Sequence, residues 1–294
     1  MKRISTSTNI FFERNDGSRI PAETSMELCA RAGYREMDFC FVDQIFYPSP
    51  FTTTDWRAYM QRIAGRAGNL EISFTQTHGH IHDFCNDQRE AQWELVKRCV
   101  EGSAMLGAKW MVMHPSSLVR DGKIHDDTEK MNVAYFQRLG EYARSFGVGI
   151  AIENMWGETK EGVKRYAIAP EEVCRLADKI GMKNVGICWD TEHAGIENLP
   201  QGESIRMLGK RIKATHISDQ TARNNIHILP YMGFTNWDEV LRAFADIDYQ
   251  EAFTYEIQHY LLELPLEVVP DAILFSYKVG MEMIRKLSVY KIKF

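Results

Sequence analysis

Short hydrophobic runs alternate along the whole chain with longer stretches in which apolar residues recur at helical spacing. The runs predict strands at 4–11, 35–41, 71–78, 110–114, 148–153, 185–190, 212–217 and 252–257. Between them, helical patterns cover 24–32, 55–67, 87–106, 127–146, 170–180, 203–208 and 237–245, and a last one at 266–287 closes the chain. Several open with Thr, Asp or Pro, which cap or pre-form a first turn. Several end at a glycine (Gly33, Gly107, Gly147, Gly181), which accepts a left-handed exit.

Eight strand–helix units predict an α/β fold, a (β/α)8 TIM barrel occupying 1–294 as one domain. A doubly wound sheet would fit the alternation equally well, but the chain carries no GxGxxG or P-loop to support it. No Pro/Gly/Ser-rich linker or low-complexity segment marks a boundary.

Active sites of such barrels lie at the C-terminal ends of the strands, and here those ends carry ionisable residues. His78 follows LEISFTQT, His114 follows KWMVM, and Glu153 with Asn154 follows VGIAI. Asp190 follows VGICW, His216 follows IKAT, and Glu256 follows AFTY.

Composition narrows the setting. With 45% hydrophobic and 26% charged residues the chain has the profile of a globular protein, and it contains no apolar run long enough to span a bilayer. The opening MKRISTSTNIFF turns polar too early for a signal peptide, and six cysteines without a CxxC pair suit a reducing compartment, so a cytoplasmic protein is expected. A net charge of −5 argues against nucleic acid as a partner, and nothing points to a membrane.

Glu153, Asp190, His216 and Glu256 offer oxygen and nitrogen donors without sulfur, a set that favours one divalent ion, Mn²⁺ foremost, with Mg²⁺, Co²⁺ or Zn²⁺ as alternatives. Three converging carboxylates would repel one another without a cation. If they do not converge, each is separately paired to Lys or Arg around the barrel mouth. Downstream in the same loops, Glu158, His193 and Arg223 occupy positions where a substrate would be held, or where a residue is solvated or caps the next helix. His78 and His114 are expected to line the pocket. The tract HGHIHD resembles a metal-binding run, but alternating side chains after a strand point to different sides.

The motifs IENMWGE, WDTEHAG, HISD, LPYMGFTNW and TYEI, in this order, resemble those of the sugar isomerase/epimerase family with a xylose-isomerase-like barrel, which includes ketose 3-epimerases and inosose dehydratases. The resemblance implies that Glu153, Asp190, His216 and Glu256 bind one Mn²⁺-like ion, and that Glu158, His193 and Arg223 hold substrate oxygens. It also implies a homo-oligomer, a dimer or tetramer, and a small sugar or cyclitol as the partner. A metal-bound carbonyl acidifies its neighbouring C–H through an enediolate, and Glu153 and Glu256 on opposite faces are the expected catalytic acid and base.

Epimerisation, isomerisation and inosose-type dehydration all share that intermediate. Abasic-site endonucleases use the same barrel with three zinc ions, and His78, His114, Glu153, Asp190, His193, His216, His227 and Glu256 match their ligands. Asn225 stands where that pattern has an Asp, and the loops lack the Lys/Arg density of a duplex-binding enzyme. A non-catalytic sugar-binding protein is the remaining alternative. No glycine signature for phosphate is evident, so a free sugar or cyclitol is expected over a sugar phosphate.

Overall fold

The structure is a computed structural model that describes residues 3–10, 14–222 and 226–291. Eight parallel strands form a (β/α)8 barrel: β1 (Ile4–Ser7), β2 (Glu36–Cys40), β3 (Ser73–His78) and β4 (Trp110–Met113) are followed by β5 (Gly149–Glu153), β6 (Val185–Asp190), β7 (Ile212–His216) and β8 (Phe253–Tyr255). Each strand pairs with the next in sequence, and β8 pairs with β1. The remaining seam, β7 to β8, is thin. It rests on the Ile217–Tyr255 bridge and on Thr215, whose Oγ1 accepts from the Thr254 N–H at 3.3 Å and donates to the Ala252 carbonyl at 3.2 Å.

Helices Ala22–Ala32, Trp56–Asn69, Glu90–Met105, Asp127–Ser145, Pro170–Ile180, Gln201–Leu208, Trp237–Asp246 and Val269–Lys291 surround the sheet. Pro170–Ile180 illustrates why they dock. Pro sits at its start, Val173, Leu176 and Ile180 make a buried stripe, and Gly181 leaves in the left-handed region at φ 68°. Gly33, Gly107 and Gly147 likewise have positive φ. Among the described residues, no helix is long and apolar enough to cross a membrane.

Among the described residues, further elements lie where only loops are expected from the sequence. Short helices Phe41–Phe46 and Thr191–Ile196 follow β2 and β6, and a hairpin pairs Val119–Arg120 with Lys123–Ile124. The second short helix starts where it does because Asp190, the last residue of β6, is its N-cap: Oδ1 accepts from the Glu192 and His193 N–H groups at 2.7 and 2.8 Å. The first strand is shorter than expected, ending at Ser7, and Phe11 lies outside the described residues.

Strand alternation divides the interior into two cores. Ile150, Ile152, Ile187, Trp189, Met111 and Met113 face the helices. The opposite face buries a small cluster inside the barrel, Val112, Ala151, Cys188 and Ala214, with Trp110 packed against it. Two residues further along each of those strands, on the same inward face, come His114, Glu153, Asp190 and His216. The tight packing below them depends on Gly149, where a Cβ would lie 2.3 Å from Trp110 Cζ3. Gly149→Ala is therefore expected to lower stability by about 1–3 kcal/mol through overpacking, measured by urea denaturation. An unchanged midpoint would contradict this account of the barrel floor.

Candidate metal and active site

Each of Glu153, Asp190, His216 and Glu256 offers one donor atom, and these atoms lie within 4.8 Å of one another. His216 is the hub. Its Nδ1 stands 2.8 Å from Glu153 Oε1, 3.2 Å from Glu256 Oε2 and 3.9 Å from Asp190 Oδ2. All four side chains are buried. Among the described residues they do not pair separately with lysines or arginines, since the ion pairs of these carboxylates are with histidines.

The two histidines at the ends of β3 and β4 belong to the same cluster. His114 Nε2 is 3.0 Å from Glu153 Oε2, while His78 Nδ1 lies 3.5 Å from Glu256 Oε1 and its Nε2 lies 3.9 Å from Glu153 Oε2. His193 lies beside Asp190 and under Trp156, whose ring stacks on the imidazole at 3.9 Å. Its Nδ1 bonds the Asn154 carbonyl at 2.7 Å, which makes that nitrogen the donor and leaves Nε2 an acceptor. His78, His114, His193, Trp156, His227 and Glu256 line a cavity of about 160 Å³ at the mouth.

Protonation follows from crowding. Burial pushes the Asp190 carboxyl well up, and the charges of Glu153, Glu192 and Glu256 push it further. For Glu153 burial acts the same way, but the imidazoles of His216 and His114 outweigh it and hold the carboxyl well below the usual range. Glu256 is likewise depressed, with burial opposed by His216 and His78. Burial disfavours the charged form of His216, yet Cys188, Glu153 and Glu256 raise its pKa well above that of a free imidazole. Burial brings His193 down to about 3, so it is neutral.

Without a cation, then, a charged imidazole and a protonated Asp190 keep the carboxylates apart from mutual repulsion. The donor set fits a divalent ion on structural grounds. Asp190 Oδ2 is buried and has no hydrogen-bond partner among the described residues, and mixed carboxylate and imidazole donors suit hard or borderline metals.

Glu158 stands apart from this group. It is exposed on the loop after β5, where its backbone pairs with Lys164, and it is not among the residues lining the cavity. Arg223 and Asn225 lie outside the described residues. His227 is buried beside Glu192, with Nδ1 3.5 Å from Glu192 Oε1.

Several supporting residues are absent from the sequence-based list. Asp38, on β2, points its Oδ2 at His216 Nε2 from 3.6 Å and accepts from Gln76 Nε2 at 3.4 Å, which orients the hub imidazole. An acid in the middle of the apolar run EMDFC is the signal that could have found it. Asn154 accepts from the Asp190 N–H at 2.7 Å and donates to its carbonyl at 3.1 Å, fixing the end of β6. Asp43, at the cavity wall, is pushed up to about 7 chiefly by burial.

The fold, with these donors clustered at the C-terminal face of a (β/α)8 barrel, narrows the class, and the comparisons make it specific. Residues 26–286 match the xylose isomerase-like TIM barrel family, and the chain belongs to it. The relative y4fM of Sinorhizobium fredii (strain NBRC 101917 / NGR234) is 28% identical over 186 residues, covering 60% of this chain and 54% of that one. The chain spans about half the length of the first curated relatives it matches. A D-psicose 3-epimerase from Enterocloster bolteae (strain ATCC BAA-613 / DSM 15670 / CCUG 46953 / JCM 12243 / WAL 16351) is 34% identical over 86 residues, 29% of this chain and 27% of that protein. A solved structure of an L-ribulose 3-epimerase superposes with a TM-score of 0.75 at 16% identity, covering 100% of this chain and 97% of that one.

The loop that follows His216 is held by one carboxylate. Asp219 is fully buried and accepts from Gln220 and Thr235 N–H through Oδ1, and from Tyr231 N–H, Gly233 N–H and Trp237 Nε1 through Oδ2, all at 2.8–3.1 Å. Gly233 is required there, because a Cβ would meet Asp219 Oδ1 at 2.3 Å. Asp219→Ala strands these donors and is expected to cost about 3 kcal/mol or more, since hydrogen bonds to a charged acceptor are the strong ones. Denaturation by urea, with proteolysis of the 228–236 loop, measures it; native stability in the variant would contradict the assignment.

Proposed function

We propose that the protein is a divalent-cation-dependent sugar epimerase or isomerase acting on a ketose or related cyclitol, with Glu153, Asp190, His216 and Glu256 holding the cation and Glu153 and Glu256 moving the proton. The observation that carries this reading is the placement of two glutamates, Glu153 of β5 and Glu256 just after β8, against one imidazole nitrogen at 2.8 and 3.2 Å, with Glu256 also lining the cavity at the mouth. A divalent cation bound there would polarise a carbonyl and stabilise the negative charge left when a neighbouring C–H is lost.

The chain's own residues supply the rest. Glu153 is held ionised by His216 and His114 against its burial, so it starts as a base. Glu256 stands opposite, 3.5 Å from His78 Nδ1, which can hold a proton for it: burial opposes charge on His78, but Glu256 raises its pKa overall. Removal of a proton by one glutamate and delivery by the other to the opposite face inverts the carbon. Delivery to the neighbouring carbon isomerises, and loss of a β-hydroxyl dehydrates.

His78, His114 and neutral His193 meet substrate oxygens in this proposal, with Trp156 shielding them from water. Arg223 and Glu158 join them from their loops. The chain 1–294 acts as one barrel domain, as a dimer or tetramer, in a reducing cytoplasm that suits its six free thiols.

A second reading, phosphodiester hydrolysis, draws support from His78, which forms further three-residue groups with His114 and Glu153 and with His216 and Glu256. Asn225 in place of a ligating acid, and the acidic loops, weigh against it.

Ketohexoses, ketopentoses and inosose incubated in D₂O with the Mn²⁺-loaded protein are expected to take up deuterium beside the carbonyl, followed by NMR. Glu153→Gln should slow exchange by about 10²–10⁴-fold, the usual contribution of a positioned acid–base group. Exchange that persists in the variant, or cleavage of an abasic-site oligonucleotide without any sugar exchange, would sink the proposal.

A further inference from the structure

The cavity above the carboxylates is too small to be a whole substrate site. Its volume of about 160 Å³ falls short of the roughly 300–1,000 Å³ of ordinary ligand pockets. One side of it is a shared wall, because Asn9, Val42, Asp43 and Gln258 also line a chamber of about 570 Å³. Together the two spaces reach the usual size.

The chamber also contains Arg14. This arginine is only 8% exposed. Its Nη2 donates to the Leu264 carbonyl, while Nε and Nη1 are buried without a hydrogen-bond partner among the described residues. A buried guanidinium with two unsatisfied nitrogens is costly unless something compensates it, and the exposed Asp16 carboxylate acts on it only through its charge. The guanidinium fork matches carboxylate and phosphate geometry.

The shared wall supplies the connection. Asn9 Oδ1 and Gln258 Oε1 are buried oxygens that accept no hydrogen bond among the described residues, and both belong to residues lining inner cavity and chamber alike. Such oxygens suit the hydroxyls of a polyol. From the carboxylate cluster outward, the order is a site for the carbonyl end, two hydroxyl acceptors, and then a cationic fork.

We propose that the substrate is an anionic ketose, carrying a carboxylate or phosphate at the end remote from its carbonyl, and that Arg14 holds that group. The proposal rests on the reading of the cluster as the carbonyl-binding end. It replaces the neutral sugar expected from the sequence.

Calorimetric titration of the Mn²⁺-loaded full chain with D-fructose, D-fructose 6-phosphate and D-fructuronate tests it. At least one of the two anionic probes is expected to bind about tenfold or more tighter than fructose, the gain of charge-assisted hydrogen bonds over neutral ones. Which of them does so identifies the anion as phosphate or carboxylate. Arg14→Gln should abolish the advantage, and Arg14→Lys should keep part of it. Equal binding of all three probes to the wild type, or an undiminished preference in Arg14→Gln, overturns the proposal.

Should Arg14→Gln fail to fold, the wild-type ordering and the lysine variant decide. The two readings fail separately. Arg14-dependent anion binding without deuterium exchange in any probe defeats the epimerase reading alone, and exchange without anion preference defeats this one alone.

Discussion

Everything at the mouth of this barrel depends on keeping three carboxylates and one imidazole in a single buried space. Glu153, Asp190 and Glu256 each approach His216 Nδ1 to within 3.9 Å, far from solvent. Like charges so close in a poorly polarisable interior destabilise the fold unless a positive charge joins them. Among the described residues, protonation of His216 and His78 supplies positive charge, and protonation of Asp190 removes a negative one. A divalent ion would supply it without protonating the groups that must act as base and ligand.

The scaffold bears this cost by fixing the ligands rigidly. Parallel strands alternate their side chains, so a small inward residue (Ala151, Cys188 or Ala214) is followed two positions later by an inward donor at the strand end. Beyond the donors, Asp38 orients His216, Asn154 pins the backbone of Asp190, and Asp190 caps the short helix that carries His193. Asp219 draws the loop after His216 around itself with five hydrogen bonds from backbone and indole groups. The donors therefore sit on strands, and the groups that hold them sit on strands or in short, heavily bonded turns.

Much of this was legible in the chain because strand ends announce themselves. All eight barrel strands fall within the expected segments, and the glycine exits at 33, 107, 147 and 181 have the positive φ that a left-handed exit requires. The donors were visible for the same reason, as ionisable residues closing apolar runs. What escaped was set by tertiary contact. Asp38 lies within its run, and Arg14 lies in a segment with no periodic signal; only the folded chain brings them beside His216 and into the outer chamber. Glu158 shows the converse, since loop spacing alone suggested a pocket residue and the loop turns it to solvent.

The most direct test is calorimetric titration of Mn²⁺ into chelator-stripped protein, repeated in buffers of different ionisation enthalpy. The account predicts saturable binding of about one ion per chain, with release of protons, because a metal displaces those now held on the imidazole and carboxyl groups. It also predicts that His216→Ala removes the binding. Absence of saturable binding, or binding untouched by loss of His216, would contradict the claim that this cluster is built around a cation.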